Sequence, residues 1–422
     1  MISKIESYAN LILTKYPGVK KVVKRVYQLS MYAVSPKVKV EGNIIRITPD
    51  DGYEYFFGYY DKSPWDETER YILSLKVKST NEDYAPAEPA EIVLIDTLND
   101  NLCTTINSTN AWNIQQGAML QWLGPDCDEE IIFNDYRDNN FCSVIYNIKT
   151  KEERIIEKPV YDVSKDGKTA ISLDFSRLHT LRPGYGYSNE LDVTVKQLLP
   201  DSPALWKVDL VNNTSIPMIS YTDLYNFETR NEMKDAVHGV NHIMINPSGN
   251  RFMFLHRWIR DGQKYSRLVT MNMDGTELYN LNDDDMVSHS YWKDDVTILS
   301  YSRKKEVGDG YFIFHDQSDA FEHVLQDIKV DGHPSYSPNN KMIITDTYPD
   351  RARVQSLYLI KDKNVQIIGR VFSPFKYDND FRCDLHPRWD RNNEKVAFDS
   401  VFEGKRALYM IKLNASDLNG QN

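Results

Sequence analysis

HIMINPSGNRFMFLHRW (242–258), HSYWKDDVTILSYSRK (289–304), HPSYSPNNKMIITDTY (333–348) and HPRWDRNNEKVAFDS (386–400) are four copies of one pattern. Each opens on a histidine, runs through a short strand, turns at Pro, Asp or Asn, and returns as an apolar strand. The histidines are spaced by 47, 44 and 53 residues, close to the roughly 40–50 residues of a propeller blade. Weaker copies precede them at 62–76, 116–135 and 160–177. Copies are followed by a further alternating segment, such as EIVLIDTL, CSVIYNIKT, YFIFHD or ALYMIKL. Seven units of four strands predict an all-β chain, a seven-bladed β-propeller over residues 46–415. Residues 46–57 could pair onto the last blade and close the ring; the pattern leaves that open. Residues 416–422 are expected to be a disordered tail.

The bulk numbers agree with a large folded unit. Hydrophobic residues make up 41% of the 422 and charged residues 26%, the balance of an ordinary globular protein. A net charge of −11 argues against a nucleic-acid partner and requires a local basic pocket for any anionic substrate. The four cysteines form no C-x-x-C pair, which speaks against a zinc ribbon or a disulfide framework. No apolar run reaches membrane-spanning length, and the first residues lack the features of a cleaved leader. The expected location is cytoplasmic.

Residues 1–45 read differently, as a basic amphipathic helical arm. Within 18–34, Val19, Val22, Val23, Val26 and Leu29 recur at helical spacing, with Lys20, Lys21, Lys24 and Arg25 between them. Such a helix either docks on the propeller rim or lies in the plane of an anionic membrane surface, here the inner membrane. Both readings stand, with contact to a partner protein as a third.

In a propeller the loops leading into the innermost strands share one face with the loops that follow the second strands. The repeat register therefore predicts a ring of Lys62, Gln116, Val160, His242, His289, His333 and His386 around the axis. Four of these seven are His, in a chain with only nine, where packing alone would favour apolar residues. Converging imidazoles suit a metal or acid–base chemistry. Around them the same register places His238, His256, Arg257, Asp346, Tyr348, Arg382, Asp384 and Arg388, with Tyr59, Tyr60 and Asp61 ahead of the first blade. A Gly/Pro loop, DFSRLHTLRPGYGY (174–187), adds Arg177, His179, Arg182 and Tyr185. Arginine offers a bidentate fork to a carboxylate and tyrosine a flat surface to a sugar ring. The predicted ligand is an acidic glycan, with Gln116, His238, His256, Arg257, Tyr348, Arg382 and Arg388 as binding residues. The metal candidates are His289, His333, Asp384 and His386, suited to divalent Mn, Zn, Fe or Ni. His315 and His323 fall late in their blade and are expected at the surface.

The segments from 235 to 415 resemble the oligogalacturonate lyases and related seven-bladed polysaccharide lyases. The resemblance rests on VNHIMINPSGNRFMFLHRW, VSHSYWKDDVTILSYS, GHPSYSPNNKMIITD and DLHPRWDRNNEKVAF. It implies that His289 and His386 are metal ligands and that His242 is a base. Two positions depart from the family: Asp384 stands where a further ligand His is expected, and Phe381 where a Gln is expected. The chemistry implied is β-elimination on a uronate, with the carboxylate neutralised by a metal or by Arg182. His242 would take the C5 proton, and Tyr60 or Lys62 would protonate the leaving oxygen. Two other functions fit the same residues: a glycan-transferring or glycan-modifying enzyme of capsule or O-antigen assembly at the inner membrane, and a non-catalytic propeller scaffold.

Overall fold

The computed structural model describes residues 17–35, 38, 40–82 and 88–414; the expected tail at 416–422 lies outside these. Seven four-stranded antiparallel sheets are arranged as blades. The fold is a seven-bladed β-propeller. Each repeat copy forms the first and second strands of one blade. In blade four these are Val237–Ile245 and Arg251–Arg260, and in blade five Val287–Trp292 and Thr297–Lys304. The alternating segment after each copy is the third strand, as in Gln263–Asn272 and Gly308–His315.

Adjacent blades are joined through apolar faces and through the tryptophans of the repeat. Trp122 Nε1 donates to the Pro64 carbonyl (2.9 Å), Trp292 to Met244 (2.9 Å) and Trp389 to Ser335 (3.3 Å). Each bond runs from one inner strand to the inner strand of the blade before it. The indole fills the interblade gap and its polar edge finds the one acceptor available there.

The ring closes through Ile44–Arg46, which pairs with Ala407–Lys412 in the register Ile44↔Ile411 and Arg46↔Tyr409. This strand is the outermost of blade seven, whereas Glu54–Phe56 is the innermost of blade one. The closing strand therefore begins just inside the predicted arm, and the expected span 46–57 splits between two blades. The arm itself is a helix from Pro17 to Val34. Among the described residues no helix is long and apolar enough to cross a membrane.

The closing strand gives a direct test. A chain beginning at Val40 keeps Ile44–Arg46 and should melt cooperatively, close to the full-length protein. A chain beginning at Glu54 leaves the edge Ala407–Lys412 unpaired and should lose the single cooperative transition in circular dichroism.

Candidate functional site

The inner strand of blade one does not run straight. Its pairing stops at Phe56↔Leu75 and resumes at Trp65↔Ile72, and residues 57–63 leave the sheet between. Gly58 begins the departure at φ +133°, where a Cβ would meet the Gln116 carbonyl oxygen at 2.6 Å; only glycine fits there. The excursion carries Tyr59 and Tyr60 among the four histidines of the ring.

Tyr60 lies 5.9 Å from His242 and from His289, 5.3 Å from His333 and 6.3 Å from His386, between ring centroids. Neighbouring imidazoles are close: His289 to His333 is 4.2 Å, His333 to His386 is 4.3 Å and His242 to His289 is 6.0 Å. The predicted convergence of the four histidines is therefore present, and none of them is more than 4% exposed. Two of the four are aimed by backbone in the left-handed region, His242 at φ 58° and His386 at φ 45°. Such conformations cost roughly 1–3 kcal/mol each and persist where surrounding contacts enforce them. The Tyr161 hydroxyl accepts from the His242 N–H (3.0 Å), and Asp346 Oδ2 accepts from the His386 N–H (3.1 Å).

Three imidazoles are oriented by acceptors behind them. His333 Nδ1 donates to Asp346 Oδ1 (2.8 Å), His289 Nδ1 to Asp331 Oδ1 (3.1 Å), and His386 Nδ1 to the Gly58 carbonyl (2.8 Å). In the neutral ring each bond places the proton on Nδ1 and leaves the lone pair on Nε2, as in metal-ligating histidines. His386 Nε2 is buried without a hydrogen-bond partner. Donor atoms of His333, Asp384 and His386 all lie within 4.8 Å of one another. His289 stands beside this trio, against His333, without being part of it. Arg382 forms a two-point ion pair with Asp384, Nη2 to Oδ2 at 2.8 Å, and stacks on Tyr348.

The electrostatics divide the histidines. Burial, then the neighbouring His289, holds His242 well below its ordinary value; burial and His333 do the same for His386. At His333 burial also pulls downward, but Asp346 and Asp384 outweigh it and the pKa is raised. Burial pulls the Asp384 carboxyl up, and Arg382 with His333 brings it below the usual range. His242 is thus a neutral imidazole, contacted by the Tyr59 hydroxyl at Nδ1 (3.1 Å) and the Tyr60 hydroxyl at Nε2 (3.1 Å).

Above the histidines stand two guanidiniums. Arg182 stacks on Tyr185 at 3.7 Å, and Arg257 donates to Asn241 Oδ1 (2.7 Å). Neither has an ion-pair partner among the described residues. Burial, then the charge of Arg182, pushes the Arg257 pKa down to about 10. Two cations held close without a counter-charge leave an excess of positive charge on this face. Tyr348, 5.6 Å from His333, completes this wall.

Other predicted residues lie elsewhere. His238 Nδ1 meets His256 Nε2 (3.0 Å), His238 Nε2 donates to the Met233 carbonyl (2.9 Å), and Arg267 donates to His256 Nδ1 (3.1 Å). This closed chain ties blade four to the segment before it. The register shift between Asn241 and Met244 explains why His238 and His242 do not share a direction. Arg388 is a clamp, not a binding residue: it donates to the Tyr59 carbonyl (2.9 Å), the Gly58 carbonyl and Asp399 (2.9 Å). Gln116 lies beneath the site and donates to the Tyr161 hydroxyl (2.8 Å).

Lys62 faces the opposite end of the axis. It pairs with Asp61 (2.8 Å) and Asp162 (3.4 Å) and lines a cavity of about 670 Å³ bounded by the turns at Ser164–Lys165 and Asp294–Asp295. Tyr60 lines the same cavity while touching the histidines on its other side, so it acts as a stopper between the two ends. The 174–187 segment is not an open loop. Asp174 caps a helix, Phe175–Leu181, which turns Arg177 inward to the His238 carbonyl (2.7 Å) and leaves Arg182 and Tyr185 at the site. His315 is exposed as expected, and His323 packs on Phe312 (4.9 Å).

Solved structures with this architecture include two lyases. One is an oligogalacturonate lyase from Vibrio parahaemolyticus, with a TM-score of 0.62 at 13% identity, covering 90% of this chain and 98% of that one. The other is an oligogalacturonate lyase in complex with manganese, with a TM-score of 0.66 at 16% identity, covering 91% and 96%. The fold is that of the oligogalacturonate lyases. No protein-family model matches the chain, and no curated protein matches it by sequence.

The clamp and the closed histidine chain are expected to contribute to stability. Arg388→Ala leaves Asp399 buried without its partner and should cost about 3–5 kcal/mol in urea unfolding. His256→Ala should cost about 1–3 kcal/mol in the same measurement through the unpaired Arg267 and His238, without disturbing the four axial histidines.

Proposed function

We propose that the histidine-lined face binds an acidic glycan and cleaves it by β-elimination at a uronate. The observation that carries this reading is the pair Arg182 and Arg257, two guanidiniums without counter-charge beside the neutral imidazole of His242. A uronate carboxylate supplies the missing charge, and its neutralisation makes the C5 proton more acidic.

His242 then removes the C5 proton, the C–H electrons form the C4=C5 double bond, and the C4–O bond breaks. Tyr59 is the better placed proton donor for the leaving oxygen, because its hydroxyl has His242 Nδ1 as its hydrogen-bond partner, whereas Tyr60 also donates to the Ser290 carbonyl (2.8 Å). Tyr59 delivers its proton to O4 and recovers one from His242, so the pair returns to its starting state. Lys62 has no part in this step. Binding by Tyr348 and Arg382 fits the same face.

The trio His333, Asp384 and His386 suits a divalent transition metal, and the bare buried Nε2 of His386 supports that assignment. The lyase with manganese supports the same class of ion. A metal held there would neutralise substrate carboxylate charge as a Lewis acid. Asp346 and the Gly58 carbonyl keep the two imidazoles in the ligating tautomer.

The test is the ultraviolet band of the unsaturated uronate on incubation with oligogalacturonate and other oligouronides. His242→Ala and Tyr59→Phe should lower its rate of appearance by about 10²–10⁴-fold, and Arg182→Ala should lower kcat as well as raise KM, because it removes charge that acidifies the C5 proton. Binding of the oligouronides with no band from any of them would refute the elimination.

A separate measurement addresses the metal. Protein purified without chelator should contain near-stoichiometric Mn, Zn, Fe or Ni by elemental analysis, and His386→Ala should lose it while keeping its fold. Metal content unchanged by that substitution would place the ion elsewhere.

A further inference from the structure

The arm helix Pro17–Val34 is docked by its polar side. Lys24 Nζ donates to Asn379 Oδ1 (2.7 Å), Gln28 Nε2 to Asp378 Oδ2 (3.2 Å), and Arg25 lies over the Phe375 ring (5.6 Å). Tyr32 adds ring contacts to Phe372 (5.5 Å) and Phe375 (5.3 Å). The opposite side carries Val19, Val22, Val23, Val26 and Leu29, all exposed, Val22 by 63%. An amphipathic helix in a globular protein normally turns its apolar stripe inward; this one is reversed.

A second segment shows the same inversion. From Leu191 to Val195 burial alternates with the polar side chains inward: Asp192 and Thr194 are buried, and Arg177 donates to Thr194 Oγ1 (2.9 Å). Leu191 and Val193 are each 89% exposed, and Val195 and Leu198 follow them outward. The topology puts both segments on the histidine face. Residues 373–387 lead from the outer strand of blade six into blade seven, and 174–202 join the second and third strands of blade three.

From these two features we infer that the histidine face docks on an anionic lipid surface. The helix contains Lys20, Lys21, Lys24 and Arg25 and no acidic residue, in a chain of net charge −11. Lys24 and Arg25 lie near Asp378 (4.0 and 3.9 Å) but keep 48% and 42% of their side chains exposed, so the flank of the helix offers positive charge to anionic headgroups while its outward stripe enters the acyl boundary. A second copy of the chain is a poorer occupant, because two such helices carry like charge. The inference stands independently of the lyase reading; together they bring a glycan held at a membrane to the mouth of the site.

The experiment is co-sedimentation of the full chain with phosphatidylglycerol/phosphatidylcholine vesicles and with phosphatidylcholine alone. Binding is expected to the anionic vesicles, to weaken as salt screens the headgroups, and to fall at least about tenfold in both Val22→Asp/Val26→Asp and Leu191→Asp/Val193→Asp. These residues are exposed, so thermal melting should match the parent and exclude misfolding. Absence of binding by the parent chain, or equal binding by the parent and both variants, overturns the inference. So does a dimer in sedimentation velocity that Val22→Asp/Val26→Asp dissolves while vesicles bind neither protein.

Discussion

The carbonyl of Gly58 accepts from the His386 ring and from Arg388, and through these two bonds the first inner strand is fastened to the last blade. Phe57 N–H completes the joint by donating to Asp399 (3.2 Å). The seam that closes the propeller and the floor of the histidine site are therefore made of the same atoms. Residues 57–63 can leave their sheet because this joint replaces the ladder bonds they give up. Tyr59 and Tyr60 are presented to the histidines as a result. Arg388 is fully buried to hold this joint, and its partner Asp399 prevents an uncompensated charge inside the ring.

Charge is distributed with the same economy. Asp346 accepts from both the ring and the backbone of His333 and from the backbone of His386, so a single carboxylate sets two imidazoles. Asp384 is answered by Arg382. The exceptions are Arg182 and Arg257, whose positive charge stays open toward the face. Among the described residues of this face, Asp346 and Asp384 are answered while these two guanidiniums are not, which is the imbalance that the proposed anionic ligand would correct.

Much of this was legible in the chain because repetition and register are properties of sequence. Four histidines at one repeat position had to converge once the copies became blades, and they do. The misplacements have one physical root, which is that side-chain direction depends on an unbroken alternation along a strand. The bulge between Asn241 and Met244 breaks it, so His238 and His256 face away and bond to each other. The departure at 57–63 breaks it again and sends Lys62 to the far end of the axis. Asp331, two residues before His333, was visible as an acid beside a repeat histidine but carried no signal of its own. The Gly58 carbonyl could not be read at all, since a backbone acceptor has no letter.

The stopper has a geometric consequence for anything shaped like a chain. Tyr60 stands between the four histidines and the cavity around Lys62, so a chain-like ligand lying on the histidine face would meet a phenol ring before it reached the other end of the axis.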